Sequence, residues 1–198
     1  MEVVSKKSFL ELLESQSIFD YSEFKGSQGE IILGLKDNIR YLDLSLEQPN
    51  YNELNQYLNK ENTLIKWVIN ILQVNTLKKM YIHPPEGKWL RGKSTDPEFL
   101  HAKNLLKTYS LKNSFTGGIS FFPSGKKEFE DFLKIFSINA FRSNCDVIFL
   151  LICEKVSFVL APCDHFDYHI YPSNVEQFIS IAQKLLPSPE FTFTSKTN

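Results

Sequence analysis

A chain of 198 residues is long for one small domain and short for two, so a single hydrophobic core is expected. Apolar residues make up 42% of it and charged residues 23%, which excludes a disordered, coiled-coil or membrane-embedded polypeptide. The formal net charge of −1 conceals a basic middle: residues 61–130 carry 11 Lys/Arg against 6 Asp/Glu, whereas residues 1–60 carry 6 against 10.

The longest strongly apolar run, Val147 to Cys153, falls far short of the ~20 residues that a membrane-spanning helix needs. No basic stretch followed by an apolar one opens the chain, so no signal peptide is expected. Cys145, Cys153 and Cys163 are odd in number and lack C-x-x-C spacing. Reduced thiols in a cytoplasmic protein are the matching expectation.

In chain order, Ser5 is placed to cap a helix whose Phe9, Leu12 and Leu13 share one face and which ends by Ser17. Glu30 to Leu35 and Ile39 to Leu46 read as two strands of a hairpin, joined by the polar Lys36-Asp37-Asn38. Pro49 stops the second strand, and Asn50 with Glu53 forms a capping box for a long helical stretch. The polar run Asn59-Lys60-Glu61-Asn62 is expected to break that stretch in two. Lys78 to His83 reads as a strand, and residues 84–96 as the one substantial loop.

Asp96-Pro97 matches a cap followed by proline at the first helical position. Gly117-Gly118 opens a strand through Phe122, and Ser124 is placed to cap the next helix, with Phe129, Phe132, Leu133 and Phe136 inward. Asp146 to Cys153 is apolar at nearly every position, as in a strand covered on both faces. Val156 to Pro162 and Phe166 to Tyr171 continue a meander, and Ser173 with Glu176 forms a capping box for a last helix. The expectation is therefore one α+β domain over residues 1–190. Its sheet is mostly antiparallel, with a hairpin near the N-terminus and a C-terminal meander, packed by about five helices. Residues 191–198 are expected to form a flexible tail.

Two segments hold residues that can do chemistry. If residues 163–171 are extended, Cys163, His165, Asp167 and His169 share one face, and Phe166, Tyr168 and Ile170 the other. Thiolate, imidazole and carboxylate all suit a divalent transition metal, with His165 and His169 as ligands and Asp167 as ligand or base of a hydrolase or nuclease. Alternate strand residues lie about 6–7 Å apart, so one flat strand cannot bring all four to one ion. A distant ligand would be needed, and His83 is a candidate. The second segment is the loop carrying Lys88, Trp89, Arg91 and Lys93, where cations alternate with an aromatic ring as in contacts to anions or single-stranded nucleic acid.

The recognisable phosphate loops and the G-x-S-x-G elbow are absent. Three functions remain open on these residues. The foremost is a protein-binding module acting through its surface, such as an immunity-type neutraliser or an assembly subunit. Next is a metal-dependent hydrolase or nuclease at His165, Asp167 and His169, and third is nucleic-acid binding by the basic loop.

Overall fold

The computed structural model describes residues 1–36, 50–85, 87–90, 97–122, 126–142, 147–185 and 189–196. The elements run β1 (Glu2–Val4), α1 (Lys6–Gln16), β2 (Phe19–Asp20), β3 (Lys25–Gly26), β4 (Glu30–Leu35), α2 (Tyr51–Val74), β5 (Leu77–His83) and α3 (Pro97–Thr108). They continue with β6 (Gly118–Phe121), α4 (Lys126–Phe141), β7 (Ile148–Cys153), β8 (Phe158–Cys163), β9 (Asp167–Pro172), α5 (Val175–Ala182) and β10 (Phe191–Lys196). Eight strands form one sheet in the order β1-β6-β5-β7-β8-β9-β4-β10, with every described pairing antiparallel, and β2 with β3 forms a small separate ribbon. This is the expected α+β architecture.

The two-residue period of the strands divides the core. On one face Met80, Ile82, Phe149, Leu151, Phe158, Leu160, Tyr168 and Ile170 pack with residues of α2, α3, α4 and α5. On the other face Tyr81, Ile148, Leu150, Val159, Ala161 and Tyr171 pack under Phe9 and Leu13 of α1 and under Ile18 and Phe19. Strand β7 is thus covered on both sides, which is why its sequence is apolar throughout.

Local signals act where they were read. Ser5 accepts a hydrogen bond from Ser8 N, and Asn50 and Glu53 complete both halves of a capping box. Asn59-Lys60-Glu61-Asn62 does not interrupt α2, which runs unbroken for 24 residues. The reason lies in tertiary structure: Glu61 is buried and takes a bidentate pair of hydrogen bonds from Arg142 at the end of α4, at 2.9 and 2.8 Å. The last helix is capped one residue later than expected, by Asn174 rather than Ser173.

One expectation about pairing is corrected. Strand β4 pairs with β9 at Ile31 to Leu33 on one edge and with β10 on the other. Ile39 to Leu46, like Asp96 and Ser124, lies outside the described residues. Residues 191–196, expected as part of a tail, instead form β10, which pairs along its whole length with β4 from Phe191↔Leu35 to Lys196↔Glu30. Phe191 is buried and anchors it.

Candidate functional site

The segment expected to be one extended ribbon is a hairpin. Strand β8 ends at Cys163, β9 begins at Asp167, and the two residues face each other across the ladder. Asp164, His165 and Phe166 make the turn, closed by Phe166 N donating to Cys163 O at 3.1 Å. Three-residue turns of this kind end in a residue with left-handed backbone, normally glycine. Here that residue is Phe166, at φ 64°, and its buried ring packs on Tyr57 and Phe141 at centroid distances of 4.9 and 5.1 Å. Aromatic packing therefore holds the backbone strain of the turn in place.

Folding the ribbon back solves the spacing problem of a single strand. On the face shared with α1, Cys163 lies opposite Asp167, Ala161 opposite His169, and His169 opposite Ile32 of β4. Ligand atoms of Cys163, Asp167 and His169 all come within 4.8 Å of one another. His165 sits apart on the turn, its side chain 81% exposed, with Nδ1 3.1 Å from Cys163 Sγ and 3.4 Å from Asp164 Oδ1. The four predicted residues, joined by Asp164, thus separate into two overlapping triples, Cys163–Asp167–His169 and Cys163–Asp164–His165, that share the thiol. His165 is not part of the inner group, because the turn carries it outward. His83 belongs to neither triple. It is fully buried, stacks on Phe9 at 4.5 Å and lies 3.2 Å from Tyr21 OH through Nε2.

Strand β4 adds residues that the sequence did not single out. Glu30 Oε1 lies 2.6 Å from His169 Nδ1 and accepts a hydrogen bond from Tyr171 OH at 3.0 Å. Lys196 Nζ is 3.8 Å from the other Glu30 oxygen. Gly34 lets Asp167 approach closely, since a β-carbon there would lie 3.0 Å from Asp167 Cβ. Glu30 opens its strand as an isolated polar residue; only the β4–β9 register brings it to His169.

The charges are strongly perturbed. Burial pushes the Cys163 thiol up to about 12, reinforced by the nearby carboxylates of Asp167 and Asp164, so it is protonated at neutral pH. Burial likewise raises Asp167 above the usual carboxylate range, against the pull of His169 and His165. Glu30 moves the other way: burial opposes its charge, but hydrogen bonds from His169 and Tyr171 and the attraction of His169 and Lys196 outweigh it. Asp167 Oδ1 is buried and accepts no hydrogen bond, although His169 Nε2 faces it at 3.4 Å. A buried acceptor left in that condition is costly unless something else satisfies it.

The basic loop does not supply a stacking surface. Trp89 is 0% exposed, donates its Nε1–H to Phe115 O at 2.9 Å and packs edge-on against Phe136. Its ring plugs the loop onto the core, leaving no face for a base. Lys88 is exposed, and Arg91 and Lys93 lie outside the described residues. No helix among the described residues is long and apolar enough to cross a membrane. No protein-family model, no curated protein and no solved structure matches the chain.

Proposed function

We propose that this chain binds a divalent transition metal through Cys163, Asp167 and His169 and uses it for hydrolytic chemistry. One observation carries the reading: three side chains of metal-ligating type, drawn from the two strands of one hairpin, converge within 4.8 Å on a half-open sheet face. Sulfur, nitrogen and oxygen donors together suit zinc and its neighbours rather than magnesium or calcium. Three protein ligands leave a further coordination position, and a divalent ion held there would acidify a bound water.

The residues fit such an ion. The unsatisfied Asp167 Oδ1 gains a partner, and the raised pKa of the carboxyl returns toward normal beside a cation. The Cys163 proton is released on binding, so affinity rises with pH. Adding zinc to the metal-free protein should raise its melting temperature and release protons into a weakly buffered solution. Neither change should occur in Cys163→Ser combined with His169→Ala. An unaltered melting temperature in the unmodified chain would remove this reading.

A second reading, binding of a partner protein as an immunity-type neutraliser or assembly subunit, is favoured by Phe24. This aromatic residue sits at φ 51° beside the β2–β3 ribbon and is 45% exposed. Strain combined with an exposed ring is a feature of binding surfaces. Phe24→Ala should abolish stoichiometric capture of a host partner, whereas Cys163→Ser combined with His169→Ala should leave that capture intact.

A further inference from the structure

An imidazole that gives one nitrogen to a metal keeps its proton on the other, and the group that accepts that proton decides which nitrogen is which. In His169 the two nitrogens meet different neighbours. Nδ1 is 2.6 Å from Glu30 Oε1, while Nε2 faces Asp167 and the thiol of Cys163. A carboxylate oxygen can only accept, so in a ring that carries one proton the short contact places that proton on Nδ1. The Nε2 lone pair is then directed into the Cys163–Asp167 group.

We infer that Glu30 and Tyr171 are positioning residues that lock His169 with its proton on Nδ1 and thereby make Nε2 the ligand nitrogen. This rests on the metal-binding reading. Tyr171 acts through Glu30: its hydroxyl donates to the same Oε1 at 3.0 Å and fixes the carboxylate in place. Tyr171 is itself held by the N-terminal part of the chain. The rings of Phe19 and Phe24 stand 4.8 and 6.3 Å from its own, and a β-carbon on Gly26 would lie 2.9 Å from its Cδ1. The ribbon β2–β3 therefore presses on a residue two hydrogen bonds away from the ligand nitrogen. Metal affinity becomes sensitive to a segment well over a hundred positions earlier in the chain.

The test uses the full chain labelled with ¹⁵N. Long-range proton–nitrogen correlation at neutral pH, without metal, reports which nitrogen of His169 is protonated, and zinc titration of the same samples reports affinity. The unmodified protein should show Nδ1 protonated and Nε2 bare. Glu30→Ala should give a mixture of tautomers and a 10- to 100-fold weaker affinity, on the order seen when such outer partners are removed. Glu30→Gln keeps an acceptor oxygen and should restore much of the tautomer preference, and Tyr171→Phe should fall between it and the unmodified chain. These two conservative changes keep the test valid should Glu30→Ala fold poorly.

A His169 doubly protonated at neutral pH overturns the inference, since the ring would then be an imidazolium clasped by Glu30 and Asp167. Unchanged tautomer and affinity in all three variants overturn it as well. A tautomer that responds to Glu30 in a protein that binds no zinc supports the lock and overturns only the metal-binding reading.

Discussion

Acidification should destabilise this fold through His83 in a way that can be worked out in advance. The imidazole is fully buried, stacks on Phe9 of α1 and donates Nε2–H to Tyr21 OH, whose own proton goes to Pro85 O at 2.8 Å. Burial, aided by Lys6 and opposed by the Gly117 backbone, pushes it down from 6.5 to about 4. Between those values the unfolded chain takes up a proton that the folded chain refuses. Stability is therefore complete above about pH 6.5 and is lost as pH falls toward 4. The full loss is about 3 kcal/mol, of which roughly 2.5 kcal/mol has developed by about pH 4.5.

Urea unfolding at neutral pH and at about pH 4.5, for the unmodified chain and for His83→Phe, isolates this contribution because other titrating groups cancel. Phenylalanine preserves the stack on Phe9 and cannot titrate. It should cost stability at neutral pH, where the Tyr21 bond is lost, yet narrow or reverse the deficit by about 2.5 kcal/mol in acid. Parallel pH dependence in the two proteins would show that His83 is not held neutral and would refute the reasoning.

Other outcomes follow from single contacts. Arg142→Ala removes the bidentate pair from buried Glu61 and should destabilise the fold by about 3–5 kcal/mol in urea unfolding, whereas replacing both residues with apolar ones of similar volume should recover most of it. Trp89→Ala should cost about 3–5 kcal/mol by the same assay, as expected for a core residue and not for an exposed nucleic-acid contact. Phe166→Gly relieves roughly 1 kcal/mol of backbone strain and forfeits a buried ring worth about 3 kcal/mol, so a net loss should appear in the thermal midpoint. Gly34→Val forces Asp167 aside and should weaken zinc binding, measured calorimetrically, without abolishing the fold.

What could be read from the sequence was what neighbouring residues determine. The cap at Ser5, the capping box of Asn50 and Glu53, and the doubly covered strand β7 each rest on a few adjacent positions. Features set by partners distant in sequence were misread. Glu61 looked like a helix breaker because its mate Arg142 lies 81 positions away. Strand β10 looked like a tail because Thr and Ser on an edge strand resemble loop residues, and only Phe191 hints at burial. In the candidate site the residue types were legible and their arrangement was not. The two strands of the meander were legible, but the turn at Asp164–Phe166 contains none of the Gly or Asn residues that normally mark left-handed backbone, so its effect on Cys163 and His165 was not. Glu30 and Gly34 enter through the β4–β9 register, which no local pattern encodes.

The proposed centre is tested most directly by titrating the metal-free, reduced protein with cobalt(II) while recording its absorption spectrum. Saturation at one ion per chain, with an intense thiolate-to-cobalt charge-transfer band that disappears in Cys163→Ser and weakens in His169→Ala, is the result predicted here. A spectrum that remains that of aquo cobalt, or a band that survives Cys163→Ser, would contradict it.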